Sequence, residues 1–486
     1  MTTTYKNYCN GEWKEAASGE TISIMNPANH HEVVGNVQSS TLEDVDHAVQ
    51  SAKRAIKTWK SISSTQRGIY LQKAADILES RREEIAVIAT REMGKTLAET
   101  RGEVMRAASI LRYYAQEGMR KVGEVIPSTD SKNLLYTTRV PLGVVAVISP
   151  WNFPIAIPTW KIAPALLFGN TVVFKPALET SITGIKLVEA LADAGIPAGV
   201  VNLVTGRGSV VGNDLVSHPA VNAITFTGSN EVGKRIGLSA VARGVKFQLE
   251  MGGKNPAIIL EDADLEKAAE LVVSGAMKHT GQKCTATSRV FIQESVYDKC
   301  KENILKKIQA ITIGSGLDEG VYMGPLASKS QYETVLSFIE KGIQDGATLL
   351  YGGNVPTGKN FENGYFLEPT VFENVGIDTP LAQEEIFGPV LCLFKVESLE
   401  EAIELANHSR FGLSASLFTK DLAKAMYFVS EIDAGLIKVN GESAGVELQA
   451  PFGGMKQSSS HSREQGQSAV EFFTSIKTVT ITPSLG

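Results

Sequence analysis

The sequence predicts an α/β protein built from two α/β units, the first of them a doubly wound layer. Short apolar runs at 143–148, 171–174, 200–204 and 223–226 alternate with helical segments, which is typical of buried parallel strands. A second series of this kind begins at 255–260. The chain has 486 residues, 43% of them apolar. Because a typical domain is about a third of this length, two hydrophobic cores can be filled.

Helices are predicted before the first strand and between the later ones. Apolar residues recur at three- and four-residue spacing over 41–59, and Thr41 with Asp44 is close to a capping box. Region 64–116 is long, charged and periodic, and Gly94 interrupts it, so at least two helices are expected there. The other predicted elements are helices over 182–194, 265–279 and 296–310 and a strand over 289–292.

Composition and charge exclude several classes of partner. With 47 basic and 53 acidic residues the net charge is −6, and no basic run is present that would bind a nucleic-acid backbone. The N-terminus lacks the apolar core of a signal peptide, and prolines interrupt the most apolar stretch, 144–158. We therefore expect a cytoplasmic protein with no nucleic-acid partner and no membrane partner.

The cysteines are predicted to be thiols. They lie far apart, form no CxxC pair and belong to a large chain without secretion signals, where disulfides are rare. The seven histidines pair with none of them at zinc-like spacing, so no metal site is predicted. The four cysteines are Cys9, Cys284, Cys300 and Cys392.

One cysteine stands in a context that suggests catalysis. Cys284 lies in GQKCT at 281–285, and Glu250 lies 34 positions earlier in LEMGGK at 249–254. A thiol that attacks a carbonyl, with a separate carboxylate that activates water, indicates a covalent acyl-enzyme that is then hydrolysed. Asn152, held between prolines in a PWNFP turn, offers a fixed N–H donor to the oxygen that becomes negative.

A nucleotide site is expected at the carboxyl ends of the first series of strands, where phosphates also meet helix N-termini. Two glycine clusters compete for this role. One spans 206–212 and misses the GxGxxG pattern by one position, and the other spans 226–233. Neither pattern is specific enough alone to choose between them.

Six motifs in order resemble the aldehyde dehydrogenase superfamily, over essentially the whole chain from NGEW at 10–13 to FGG at 452–454. The resemblance implies the aldehyde dehydrogenase fold, with a Rossmann-like cofactor domain (1–124 and 142–251), an α/β catalytic domain (252–467) and a β-arm for oligomerisation (125–141 and 468–486). The motifs are PWNFP at 150–154, FKP at 174–176, FTGS at 226–229, LEMGG at 249–253, GQKC at 281–284 and EEIFGP at 384–389.

The resemblance also implies roles for individual residues. Cys284 is the nucleophile, Glu250 the general base, and Asn152 with the Cys284 backbone N–H the oxyanion hole. Because relatives that transfer the acyl group to coenzyme A lack a glutamate at this position, a free carboxylic acid is the expected product. The implied cofactor contacts are Ile148, Trp151, Asn152, Lys175, Leu178, Gly208, Gly228, Ser229, Gly233, Met251, Glu385 and Phe387.

Among these contacts, Lys175 is implied to bind the adenosine ribose, Glu385 the nicotinamide ribose, and Phe387 to lie beside the ring. Members that prefer NAD commonly carry Glu three residues after the lysine, where this chain has Leu178. Without that carboxylate a 2′-phosphate is not repelled, so the cofactor is predicted to be NADP or NAD, leaning toward NADP. Glu179, one step beyond, could supply the missing acceptor.

The substrate is expected to be a small anionic aldehyde. Lys283 beside the nucleophile, with Arg101 and Arg106 on a helix that borders the substrate entrance in the family, would favour a distant carboxylate or phosphate. Phe153 and Trp160 are expected to form an aromatic wall. The alternative interpretation is that these lysine and arginine side chains are solvated on helix faces.

The C-terminal stretch 442–466 resembles the α-ketoglutaric semialdehyde dehydrogenases within the superfamily. Oxidation of that semialdehyde to 2-oxoglutarate is therefore the expected reaction. Succinate semialdehyde and glyceraldehyde 3-phosphate remain alternatives, and so does a non-catalytic, crystallin-like structural role. By the same resemblance, the region 125–139 and an alternating strand near 475–481 predict a homodimer or homotetramer.

Overall fold

The computed structural model describes residues 2–483 and contains two seven-stranded sheets. Residues 1 and 484–486, which fall in the first and last of the predicted domains, lie outside the described residues. The change from one sheet to the other falls between Glu250 and Asn255, close to the predicted division at 251/252. The domain limits themselves stay a prediction.

The first sheet is parallel over five consecutive strands that begin at one edge, as the buried apolar runs predict. The strand Val144–Ile148 is central, and the chain adds later strands first on one side and then on the other. This reversal makes a crevice at the carboxyl ends of neighbouring strands. In spatial order the strands are Lys246–Glu250, Ala223–Thr227, Val144–Ile148, Thr171–Lys175, Val201–Leu203 and the antiparallel pair Asn7–Cys9 and Glu12–Lys14.

The second sheet is also mainly parallel, with one antiparallel strand at an edge. Its strands are almost all buried on both faces, because helices cover them. In spatial order they are Thr348–Tyr351, Thr370–Glu373, Val390–Val396, Thr287–Gln293, Asn255–Ile259, Ser414–Phe418 and Leu436–Val439.

The helices pack on these sheets. At the first helix, the Thr41 N–H donates to Asp44 Oδ2 at 2.8 Å, as the predicted capping pattern requires. The α-helices are Leu42–Ser61, Ser64–Ser80, Arg82–Met93, Leu97–Glu117, Ala156–Leu167, Ser181–Asp193, Asn213–Ser217, Asn230–Arg243, Leu265–Met277, Tyr297–Gln309, Lys329–Gln344, Pro380–Gln383, Leu399–Asn407, Leu422–Glu431 and Ser468–Phe473. Shorter 3₁₀ turns span Leu178–Thr180, Lys278–Gly281 and Glu294–Val296, and a π turn spans Gly208–Gly212.

Two helical predictions are refined by the structure. The region 64–116 contains three helices, and the second of these ends at Gly94, whose φ of 88° terminates it. The helix predicted over 265–279 ends at Met277, because His279 and Thr280 adopt left-handed backbone angles with φ of 58°. This turn leads to Gly281, where a Cβ would lie 2.1 Å from the Gly388 carbonyl oxygen.

A separate three-stranded sheet forms the arm. The strand Thr474–Ile481 pairs antiparallel with Leu134–Pro141, which pairs with Val125–Ile126. The terminal strand is mostly exposed and stands at the edge of this sheet. Two further antiparallel pairs are Thr21–Asn26 with Asn29–Gln38, and Phe411–Gly412 with Met455–Lys456.

All four cysteines are free thiols, as predicted. Cys300 and Cys392 are buried within the second unit and Cys9 is half-buried in the first sheet. Over residues 2–483, the helices are all too short or too polar to cross a membrane.

Candidate active site

The candidate site lies between the carboxyl ends of the first sheet and the amino ends of the second. Asn152 follows the strand Val144–Ile148, and Gly228 follows Ala223–Thr227. From the second unit, Cys284 and Glu385 lie just before the strands that begin at Thr287 and Val390. Segments that are far apart in sequence therefore meet in the space between the two sheets.

Cys284 lies where two cavities meet. It is half-buried and lines both a cavity of about 340 Å³ and a second cavity of about 250 Å³. Ile157 is the other residue that lines both. Burial, with the carboxylates of Glu385 and Glu250 nearby, raises the pKa of the Cys284 thiol to about 12. The thiol is protonated at neutral pH in this state and must lose its proton before it can attack.

Asn152 is buried beside the nucleophile and lines the smaller cavity with it. Its Nδ2 donates to the Gln282 carbonyl oxygen at 3.1 Å, which fixes the orientation of the amide. Since a primary amide nitrogen carries two hydrogens, one N–H remains for an oxygen bound at Cys284. The structure therefore brings together the two members of the predicted oxyanion hole.

Glu250 ends its strand and is 1% exposed. Its Oε2 accepts a hydrogen bond from the Ser459 hydroxyl at 2.5 Å. Burial, and after it the negative charge of Glu464, raises the pKa of the Glu250 carboxyl well above its usual range. A carboxyl with a raised pKa is suited to accept a proton from water near neutral pH. It lines neither cavity in this conformation.

The smaller cavity has the features of a dinucleotide site. Gly228 and Ser229 stand at the N-terminus of the helix Asn230–Arg243, where the backbone N–H groups favour a phosphate. The rings of Trp151 and Phe387, which line the same cavity, pack edge to face at 5.3 Å. A helix terminus and an aromatic pair in one cavity fit a nucleotide that carries both phosphates and a planar ring.

Glycines let the backbone of this cavity approach closely. A Cβ on Gly252 would lie 2.0 Å from Glu385 Oε2. Gly233 does not line the cavity but packs behind Met251, which does, and a Cβ on Gly233 would lie 2.5 Å from the Met251 sulfur. The Gly253 N–H donates to Glu385 Oε1 at 3.0 Å. Burial raises the pKa of Glu385 to about 7. The carboxyl is thus held at the wall of the cavity, where a ribose hydroxyl can reach it.

Other predicted cofactor residues lie at or just beyond the carboxyl ends of the strands of the first sheet. Burial lowers the pKa of Lys175 to about 8, while Glu179 opposes this shift. The Lys175 amino group donates to the Pro176 carbonyl at 2.7 Å, and its side chain passes beside the turn that contains Gly208. Leu178 is half-buried against the core. Ile148 is the last residue of the central strand and is buried.

The larger cavity carries the predicted aromatic residues. Phe153 and Trp160 both line it, and Phe153 packs on His279 with ring centres 5.0 Å apart. Arg106 also lines it and donates through Nη2 to the Val446 carbonyl oxygen at 2.5 Å. Arg106 is the one lysine or arginine among the described residues lining this cavity.

Two predicted substrate residues are placed elsewhere. Arg101 forms a bidentate pair with Glu83, with nitrogen–oxygen distances of 2.8 and 2.5 Å, and its side chain is 43% exposed. Lys283 is buried and pairs with Glu442 at 3.1 Å. Neither lines the cavity. Lys283 follows neither sequence interpretation, because its ammonium group is neither solvated nor directed to the cavity.

Several residues of the site were absent from the predictions. His279 lines the larger cavity, and burial lowers its pKa well below the usual value, so it is neutral. Glu99 accepts the His279 backbone N–H at 2.9 Å and holds that turn. Gln331 donates to the Ile386 and Phe387 carbonyls, both at 3.0 Å, and so fixes the Phe387 loop. The sequence signal for His279 was its position five residues before Cys284.

Comparison with known proteins agrees with the resemblance found in the sequence motifs. The chain matches the aldehyde dehydrogenase family over residues 13–479. It is 60% identical over 480 residues to an alpha-ketoglutaric semialdehyde dehydrogenase of Bacillus subtilis (strain 168), which covers 99% of this chain and 98% of that protein. A 2,5-dioxopentanoate dehydrogenase of Saccharolobus solfataricus is 44% identical and covers 95% of this chain and 96% of its own length.

Solved structures agree with the fold. A betaine aldehyde dehydrogenase from Staphylococcus aureus, solved in complex with NAD+, superimposes with a TM-score of 0.96 at 35% identity. The match covers 99% of this chain and 95% of that structure. An NAD-dependent aldehyde dehydrogenase from Sinorhizobium meliloti gives the same TM-score at 36% identity, with 99% and 95% covered.

Proposed function

The chain belongs to the aldehyde dehydrogenase family and oxidises aldehydes to acids with NAD or NADP, and from this premise we propose α-ketoglutaric semialdehyde as its substrate. The product would be 2-oxoglutarate. The observation that carries this proposal is the 60% identity, over nearly the whole of both chains, to a relative named for that substrate. The cation Arg106 in the wall of the larger cavity supports it, because the substrate has a carboxylate at its far end.

In the proposed reaction Cys284 attacks the aldehyde carbon. The thiol releases its proton to water, the sulfur–carbon bond forms, and the carbonyl oxygen becomes an alkoxide. The Asn152 amide and the Cys284 backbone N–H donate to this oxygen. A dinucleotide held in the smaller cavity by Gly228, Glu385 and Phe387 would supply the acceptor for the hydride that leaves the carbon. A thioester then remains on Cys284.

Glu250 acts in the second half of the reaction. Its carboxylate takes a proton from water, the water oxygen bonds to the thioester carbon, and the carbon–sulfur bond breaks. Cys284 leaves as a thiolate and the product leaves as a carboxylic acid. Because only the ionised carboxylate can accept a proton, hydrolysis should rise with pH through the raised pKa of Glu250.

For the cofactor we propose a preference for NADP over NAD. The side chain at 178 is a half-buried leucine and cannot repel a 2′-phosphate, and the Lys175 amino group lies at the same edge of the sheet. Glu179 is close enough to influence the charge of Lys175 and is the competing feature. Measurement of kcat/KM with each cofactor tests this, and a clear preference for NAD would contradict it.

A panel of aldehydes tests the substrate. We expect α-ketoglutaric semialdehyde to give the highest kcat/KM, followed by succinate semialdehyde, which keeps the carboxylate but lacks the oxo group. Glyceraldehyde 3-phosphate and a neutral aldehyde of similar length complete the panel. A higher value for succinate semialdehyde would replace the proposed substrate, and no oxidation of any aldehyde would favour a structural role.

We further propose a homodimer or a dimer-based homotetramer in the cytoplasm. In the arm sheet the strand Thr474–Ile481 is an edge, and Ile476 and Ile481 are exposed on it, so pairing with a second copy would cover apolar surface. The four free thiols suit a reducing compartment. Light scattering of the purified protein distinguishes monomer, dimer and tetramer.

A further inference from the structure

The serine run at 458–460 lies against the strand that carries Glu250. Backbone hydrogen bonds of 2.9 and 2.8 Å join Ser460 and Ser458 to the residues on either side of Glu250. Glu250 and Ser459 thus face each other in an antiparallel bridge. The serines at 458–460 have no part in the catalytic roles predicted from the sequence, and this pairing gives them a structural context.

The hydrogen bonds of the Ser459 hydroxyl have a defined direction. The Gly454 N–H donates to Ser459 Oγ at 2.6 Å, so the oxygen is an acceptor there. Its own hydrogen is free to donate, and it donates to the ionised Glu250 carboxylate through Oε2, which lies 2.5 Å away. The other carboxyl oxygen, Oε1, is buried and has no hydrogen-bond partner within residues 2–483. Ser459 is therefore the one donor to this side chain in the described structure.

The other charged groups around Glu250 act without a hydrogen bond to it. Glu464 opposes its ionisation, while Lys161 and Arg463 favour it. Lys161 and Glu464 are themselves a buried ion pair, each with a side chain at most 2% exposed. The thiol of Cys284 lies on the other side, within range of the Glu250 charge.

We infer that Ser459 is a positioning residue for the general base. Its hydroxyl fixes one oxygen of the Glu250 carboxyl, Oε2, and stabilises the ionised form, while the unpartnered Oε1 is left to take a proton from water. The inference rests on the proposed role of Glu250 in thioester hydrolysis. It assigns a function to a serine hydroxyl that makes no contact with the cavities where the ligands would bind.

The test uses hydrolysis of p-nitrophenyl acetate, which acylates Cys284 and needs neither an aldehyde nor a cofactor. The steady-state rate is measured against pH for the wild type, Ser459→Ala and Ser459→Gly. Loss of a donor to the ionised carboxylate raises its pKa, so the rising limb of the profile should move to higher pH by about one unit. The first burst of nitrophenolate should keep its amplitude, because acylation precedes the action of Glu250.

Two further variants separate positioning from damage to the fold. Ser458→Ala is the matched control, because its hydroxyl accepts the Gly412 N–H at 3.0 Å and does not touch Glu250; its profile should coincide with that of the wild type. In a Glu250→Gln background, Ser459→Ala should cause no further loss of hydrolysis.

The outcomes are distinct. A uniform loss of rate at every pH without a shift, or an equal loss from Ser459→Ala in the Glu250→Gln background, overturns this inference alone. Hydrolysis by Cys284→Ala at the wild-type rate overturns both the proposed nucleophile and this inference. The proposed aldehyde is tested separately by the panel described above.

Discussion

The two cavities that meet at Cys284 are built in different ways. The smaller one is formed largely by turns at the ends of strands, and its glycines Gly252 and Gly228 pack closely on Glu385 and Phe226. The larger one takes half of its lining from two helices, including Arg106 and Trp160. The shape of a cavity formed by backbone depends on the topology of the sheets. The ligand that a cavity binds through side chains can change when those side chains are substituted.

The difference suggests how one scaffold can keep its chemistry while it changes its substrate. On this view the proposed cofactor contacts and Cys284 depend on segments that join the two sheets, whereas the proposed substrate contacts are side chains that can be replaced without changing the sheets. Substitutions test this division, beginning with Cys284, which lines both cavities.

Cys284→Ala should abolish oxidation, with a loss of at least about a thousandfold in kcat, because Ile157 is the only other residue of 2–483 that lines both cavities and it has no nucleophilic group. Cofactor affinity should stay close to that of the wild type, since the glycine and aromatic walls are unchanged. Kinetics and calorimetric titration with NADP measure the two effects. A strong loss of cofactor binding would show that the two cavities depend on each other.

Glu250→Gln should reduce steady-state turnover by roughly a hundredfold to ten-thousandfold, the range usual for loss of a general base. A burst of reduced cofactor equal to the enzyme concentration should remain, because hydride transfer comes before hydrolysis. Rapid-mixing absorbance at 340 nm detects it. Absence of the burst would mean that Glu250 is also needed for acylation.

Arg106→Gln should lower kcat/KM for an anionic aldehyde by about ten- to a hundredfold, as expected for loss of a hydrogen bond to a charged group. A neutral aldehyde of equal length should be affected much less. Arg101→Gln is the matched control, because that side chain pairs with Glu83 away from the cavity. An equal loss in both variants would argue against a substrate contact by Arg106.

Gly252→Ala should weaken cofactor binding by about tenfold, because its Cβ would lie 2.0 Å from Glu385 Oε2 and must displace that carboxyl. The ester hydrolysis that needs no cofactor should be nearly unchanged. Fluorescence titration with the cofactor measures the first effect. Unchanged affinity would show that Glu385 is less constrained than its contacts indicate.

Much of the fold could be predicted because its signals are local. The strand Val144–Ile148 is apolar throughout, and the helix that begins at Leu42 carries its cap in the adjoining residues. The positions of Cys284 and Asn152 at one junction were also predicted from motifs. The left-handed turn at His279 was not, because Thr280 is β-branched and rarely adopts this conformation, and a single histidine is a weak signal for it.

The partners of the site residues were harder to predict, because they lie far away along the chain. Lys283 is adjacent to Cys284, but its partner Glu442, which is half-buried, is 159 positions later. Arg101 and Arg106 lie on the same helix, and only the local packing decides which one reaches the cavity. Spacing in sequence gives no information on such contacts.

The bond from Ser459 to Glu250 spans 209 positions, and the contact of Lys161 with Glu464 spans 303. During synthesis, a nascent chain that ends before 452 already contains the nucleophile, the amide donor and the base. It lacks the segment that orients the base and neutralises a buried lysine. The ribosome must therefore add almost the whole polypeptide before the proposed base gains its hydrogen-bond donor and Lys161 its buried partner.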